Sequence, residues 1–398
     1  MQKRKKVLFI VPSLAGGGAE RVLLNIMKRL DYSRYDLTLC TVLKDGVYLD
    51  EVPKEIKMIS LMRSKRLFRL LTYLQIRFGI KVFFRWLIRK KVKEQYDVGI
   101  SVIDSAYTDL LFFIHDRVPL KYSWVHASIQ SYSNYSKYLD KGRVETLKKN
   151  RYQKLDKIIF VSNDSKNEFV QVFGHYAQMP VLYNFLDKEA IRSASCAHYP
   201  SDFSVREVNV VAVGSLLPVK GYEKLIYAAK LLNQDGLGFK IRILGTGPLY
   251  KKLNHLIDSM SLSDKIELTG FRKNPYAIMK HSDIFVMTSQ SEALPTSLIE
   301  AMILELPVLV TDSPGCREVT ENGKYGVVME NSIEGIYKGL KQMIRKEYLR
   351  EKYSLLSRQR ALFFDDDRIL SSFYQIILSL FPFKEIREDI QLITLKKL

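Results

Sequence analysis

Cysteine is scarce. Cys40, Cys196 and Cys316 stand alone in 398 residues, in no disulfide or metal-ligand spacing. That excludes a disulfide framework and fits a reducing cytosol. Cys40 lies in an apolar strand pattern and reads as a core residue. Long apolar runs are also missing. None approaches the roughly 18 residues of a membrane-spanning helix. The opening stretch, Met1 to Val11, imitates a secretory leader. Its apolar core, Val7–Val11, ends at Pro12 and is too short for one. It reads as a first buried strand behind a basic tail. Short repeats and low-complexity segments are absent. One stretch lacks charge of one sign: residues 63–93 hold 11 Lys/Arg and no Asp or Glu.

What is present describes a soluble globular chain of two ordinary domains, 47% hydrophobic and 26% charged. The net charge of +19 is uneven. Residues 1–199 carry 35 Lys/Arg against 19 Asp/Glu, and residues 200–398 carry 27 against 24. The first half therefore meets something anionic, or stays soluble by charge. Within the acid-free stretch Arg77, Lys81, Arg85 and Arg89 repeat at four and read as one helical stripe. Phe78, Phe83 and Trp86 crowd the remaining surface, and Gly79 offers a break. A basic amphipathic helix with aromatics points to an anionic membrane surface. A core helix with a solvated basic face is the plainer alternative.

Val7–Val11, a glycine loop through Gly16, Gly17 and Gly18, an amphipathic helix from Arg21 and a strand at Leu37–Val42 suggest a parallel sheet with helical crossovers. Glycines admit a ligand close to the backbone, and the helix start favours anions. The loop is a weak dinucleotide fingerprint, because Arg21 takes the place of the third glycine. Buried strands follow at Asp97–Ile103 and Lys157–Val161. Residues 193–206 break periodicity and read as an interdomain linker. A second sheet begins at Val208–Gly214. In it, Asp283–Thr288 is a buried strand, Ser289–Glu292 a loop, and Pro295 with Thr296 and Ser297 opens a capped helix. Glu292 sits in the loop and Glu300 about one turn into the helix. Both face the crevice at the carboxyl ends of parallel strands. Amides of residues 293–297 suit an anion. Carboxylates for hydroxyls beside amides for phosphate are what a nucleotide-sugar site needs.

The stretch from Thr288 to Gly326 resembles the Glu-x7-Glu signature of family 4 retaining glycosyltransferases. Glu292, Pro295, Glu300, Ala301, Met302, Pro307, Val308, Gly315 and Glu318 match. Ala293, Glu305 and Cys316 replace usual glycines. Gly17-Gly18-Ala-Glu20-Arg21-Val22 resembles the segment that opens many such enzymes. The resemblance implies the α/β GT-B fold, two doubly wound Rossmann-like domains facing one cleft. It places the first domain at residues 1–195 and the second at 206–365, with 366–398 crossing back through a helix at Ile369–Leu380. It implies Glu292 and His126 against the donor sugar. Donor contacts would come from Gly17, Gly18, Gly214, Lys220, Gly245, Phe271, Arg272, Ala293, Leu294, Pro295, Thr296 and Glu300. Ser215 replaces the usual Arg partner of Lys220 on the diphosphate. The activity implied is transfer from a nucleotide-sugar, expected to be a UDP-sugar, to a glycan or polyprenyl-diphosphate-linked acceptor, without metal or cofactor. Arg77, Lys81, Arg85 and Arg89 would serve the acceptor or the membrane at the inner face of the cell membrane. A dinucleotide-dependent oxidoreductase would share the sheets but leave Glu292 and Glu300 unexplained. A nucleic-acid-binding protein would explain the charge alone, and no nucleic-acid partner is expected.

Overall fold

A computed structural model describes residues 4–129, 141–197 and 207–378. They fall into two compact units. One comprises residues up to 185 together with a segment from 372, and the other comprises residues 186–371.

In the first unit six parallel strands form one sheet in the order β3-β2-β1-β4-β5-β6. They are β1 Lys5–Val11, β2 Tyr35–Leu43, β3 Lys57–Met62, β4 Val98–Ser101, β5 Leu120–Val125 and β6 Lys157–Phe160. Their near-continuous apolar runs suit strands covered on both faces. Helix α1, Gly18–Met27, crosses from β1 to β2. The stretch at Val181 forms a single bridge to Phe160 rather than a strand, because Pro180 has no amide to extend a ladder.

The second unit repeats the plan. Strands β7 Val208–Val213, β8 Phe239–Leu244, β9 Ile266–Gly270, β10 Ile284–Met287, β11 Val308–Thr311 and β12 Val327–Met329 are parallel, in the order β12-β11-β10-β7-β8-β9. In each sheet the strand order reverses between the first and fourth strands, β1/β4 and β7/β10. Ligands bind outside the carboxyl ends of strands at such reversals.

Two boundaries differ from expectation. Residues 193–195 are not linker. They close a helix, Lys188–Ser195, capped by the Asp187 carboxylate. Asn274 Nδ2 donates to Ala194 O at 2.8 Å and fastens this helix to the second unit. Residues 198–206 lie outside the described residues. Near the other end, a helix spans Asp366–Phe373 and one π-helical turn, Tyr374–Leu378, follows. The Phe373 ring lies tilted beside Trp124 and the Tyr374 ring tilted beside Tyr35. Lys157 Nζ donates to Ile376 O at 2.6 Å, so this segment is part of the first unit's core.

Candidate active site

The loops after β7 and β10 are built on each other. Gln290 N donates to Val219 O at 2.7 Å, and Thr288 Oγ1 donates to Lys220 O at 2.8 Å. Gly221 has φ 67°, and a Cβ there would meet Thr288 O at 2.1 Å. Only glycine admits this approach. The result brings two expected site residues together. Lys220 Nζ lies 2.6 Å from Glu292 Oε1. Ser289 Oγ donates to the same oxygen at 2.6 Å. Both charged side chains are largely buried, 19% and 14% exposed, which strengthens their attraction relative to a surface pair. Behind them Thr311 Oγ1 and Asn331 Nδ2 both donate to Ser289 O, fixing the serine. The buried Tyr222 hydroxyl has its pKa pushed well above the ordinary value by burial and then by the Glu292 charge.

Glu300 is buried one turn into the helix Thr296–Ile303 and accepts from Tyr276 OH at 3.3 Å. The expected hydroxyl cap is not made. Pro295 occupies the N-cap without a side-chain bond, and Ser297 Oγ donates instead to Val213 O. Ala293 and Leu294 are buried and make interactions of their own within the chain. Pro295, next to them, has no N–H to offer an anion. Gly315 N donates to Glu292 O at 3.1 Å and holds that loop from the next turn. Gly214 follows β7 and Gly245 follows β8. Phe271 and Arg272 follow β9 and are exposed. Every expected donor residue of this unit thus sits at the carboxyl end of its sheet or on the helix that follows.

The remaining expected residues belong to the first unit. Gly17 is the N-cap of α1, whose first residue is Gly18. The amides of Gly16 and Gly17 are not open to a ligand. They donate to Glu20 Oε2 at 2.8 and 3.0 Å. Burial raises the pKa of this carboxyl, opposed by the two amides. His126 follows β5, beside Trp124. Its Nε2 is buried and has no hydrogen-bond partner among the described residues. Burial pushes its pKa down to about 3, so the ring is neutral.

Two family descriptions match this chain. One, glycosyltransferase family 4, covers residues 16–190, and the other, glycosyl transferases group 1, covers residues 200–360. The chain belongs to the family 4 glycosyltransferases. Among similar proteins is a Campylobacter jejuni enzyme, N-acetylgalactosamine-N,N'-diacetylbacillosaminyl-diphospho-undecaprenol 4-alpha-N-acetylgalactosaminyltransferase. It is 31% identical over 55% of this chain and 59% of its own length. A Methanocaldococcus jannaschii relative matches over 48% of its length, so the chain spans about half of these relatives. The amylovoran biosynthesis glycosyltransferase AmsD of Erwinia amylovora is 24% identical over 94% of this chain and 99% of that protein. Anabaena HepE, solved with UDP and glucose, superposes with a TM-score of 0.75, at 19% identity over 95% of this chain and all of that one. The fold is GT-B.

In this family member the basic stripe does not exist as one face. Helix α2, Lys65–Phe78, ends at left-handed Gly79, and helix α3, Val82–Lys91, starts afresh. Lys81 is the N-cap of α3, and its Nζ reaches buried Asp109 at 2.6 Å. Arg89 forms a two-pronged bond with Asp116 at 2.7 and 3.0 Å and donates to Phe113 O. Arg77 and Arg85 are exposed and have no ion pair among the described residues. Leu71, Phe84 and Ile88 join the core with Leu8 and Ile10. Tyr73, Phe78, Val82, Phe83 and Trp86 are at least half exposed. No described helix is long and apolar enough to cross a membrane.

Three further residues bond to the expected ones: Ser289 to Glu292 and Tyr276 to Glu300 in the second unit, and Glu20 to Gly17 in the first. Ser289 was legible, because it is the serine of the family's Ser-x-x-Glu pattern. Tyr276 and Glu20 carried no signal as partners, since their bonds depend on how the chain folds back.

Proposed function

We propose that this chain transfers a sugar, with retention, from a UDP-sugar to a polyprenyl-diphosphate-linked or other glycan acceptor in cell-surface polysaccharide synthesis. The observation that carries the reading is the Lys220–Glu292 pair at the β7/β10 reversal, with Glu300 on the next helix. Lys220 is the cation for the diphosphate, since Ser215 stands where the family has arginine. Glu300 takes the ribose hydroxyls. Glu292 holds the sugar while its bond to phosphate lengthens. Neutral His126 offers a hydrogen bond to the sugar without adding charge. Attack comes from the side of the departing phosphate, which takes the acceptor's proton, so no metal or cofactor is required. Positioning and stabilisation of the leaving diphosphate supply the catalysis. The Campylobacter relative is named for a diphospho-undecaprenol-linked acceptor, which supports a lipid-linked acceptor here. The exposed apolar and cationic surface of α2 and α3 supports peripheral attachment at the inner face of the cell membrane. The test is a thermal-shift panel of UDP, GDP, ADP and their sugars, with NAD alongside. A ligand that binds only the native state raises the melting temperature. A shift with UDP-sugars is expected. A shift with NAD alone, or with no nucleotide, would overturn the reading.

A further inference from the structure

The ammonium expected to hold the donor's diphosphate is already bound. Lys220 Nζ sits 2.6 Å from Glu292 Oε1, and both side chains are mostly withdrawn from water. With Ser215 in place of arginine, Lys220 has no second cation beside it in the loop after β7 among the described residues to share the load. We propose that the diphosphate and Glu292 compete for Lys220, so that this pair biases the site toward sugar-loaded donor and against the spent nucleotide.

The argument is one of partners lost and regained. When a diphosphate takes Lys220, Glu292 keeps only the Ser289 hydroxyl among its described partners. A largely buried carboxylate stripped of its counter-charge is costly. A nucleotide-sugar compensates, because the sugar hydroxyls reach Glu292. A bare nucleoside diphosphate has no sugar and leaves the carboxylate uncompensated. The product is therefore discriminated against by the residue that served the substrate. Glu292 then has a specificity role in addition to its role on the sugar. The Thr288–Lys220 and Gln290–Val219 bonds hold the two loops together and prevent the pair from simply drifting apart.

The inference rests on the nucleotide-sugar reading, and one calorimetric experiment separates the two. The probe is UDP, with uridine as control, on the full chain. Glu292→Gln should bind UDP about tenfold more tightly than wild type, the scale of one charge-assisted contact. Uridine affinity should not change. The gain should vanish when Lys220→Ala is present in both members of the comparison. Glu292→Asp, which keeps the charge but shortens its reach, should give a smaller gain, and it stands in if the Gln variant melts early. If folded Glu292→Gln binds UDP no more tightly than wild type, the ammonium serves both groups at once and the inference is wrong. If wild type binds neither UDP, GDP nor ADP, the donor reading itself fails and the inference falls with it.

Discussion

Four cations that share a spacing of four should fail in two different ways when replaced by glutamine. Arg77 and Arg85 are exposed and make no ion pair among the described residues, so their charge is available to an anionic surface. Each is worth about 1 kcal/mol against an anionic bilayer, and losing both should weaken binding roughly 30-fold. Lys81 is different. Its partner Asp109 is only 10% exposed and is also held by Arg151 Nε at 2.9 Å. Arg151 remains after Lys81→Gln, so Asp109 is not orphaned. The lost contact should cost about 1–2 kcal/mol of stability, discounted because Lys81 is 42% exposed. In a chain of this size that lowers Tm by a few degrees, roughly 2–4 °C. The assay pairs vesicle binding at low salt with a melting curve. Tryptophan emission reads the first directly. Of the two tryptophans Trp124 is fully buried and Trp86 is 57% exposed, so a blue shift on phosphatidylglycerol vesicles reports Trp86. Vesicle affinity should fall for Arg77→Gln/Arg85→Gln with Tm unchanged. Tm should fall for Lys81→Gln with vesicle affinity nearly unchanged. The opposite sorting would refute the assignment. Wild-type binding retained by Arg77→Gln/Arg85→Gln would reduce these arginines to a solvated face.

Three further outcomes follow from the site. Lys220→Ala should weaken UDP by roughly 1.5–3 kcal/mol and leave uridine unchanged in calorimetry. Equal losses would show that Lys220 does not meet the diphosphate. Glu300→Gln should raise the donor KM by roughly 10-fold or more with kcat nearly unchanged, whereas Glu292→Gln should lower kcat. Steady-state kinetics with the effects exchanged would reverse the two roles. His126 gives a pH signature. Its native pKa of about 3 lies below its ordinary 6.5, so the unfolded state takes up the proton first. Its contribution to stability is full above pH 6.5 and is lost as pH falls toward 3. His126→Gln should flatten that limb in melting curves between pH 7 and pH 4, and an unchanged slope would place the ring in water.

The sheets were legible because parallel strands buried on both faces read as continuous apolar runs, as at Val7–Val11 and Val208–Val213. The Glu292 and Glu300 positions were legible because strand, loop and helix follow one another locally. What escaped was non-local. The break at Gly79 in the stripe of Arg77, Lys81, Arg85 and Arg89 could be read locally, but the partners of its charges could not. Asp109, 28 residues beyond Lys81, claims one of its charges. The glycine loop looked like a ligand's anion site, but the Glu20 carboxylate from the same turn takes the amides of Gly16 and Gly17. The last residues of the helix Lys188–Ser195, from Ser193 on, were read as linker because its serines obscure a short apolar face.

The return of Phe373, Tyr374 and Ile376 to the first unit has a consequence for how the chain is made. Phe373 and Tyr374 are buried, near Trp124 and Tyr35 respectively. Domains that end where they began fold on the ribosome in the order of their synthesis. This first unit cannot complete its core in that order. Its sheet is complete by residue 160, but part of its core arrives only after the whole second unit has been translated. Until then the faces around Trp124 and Tyr35 remain uncovered. The second unit, with its core wholly inside residues 186–371, is the one positioned to finish first.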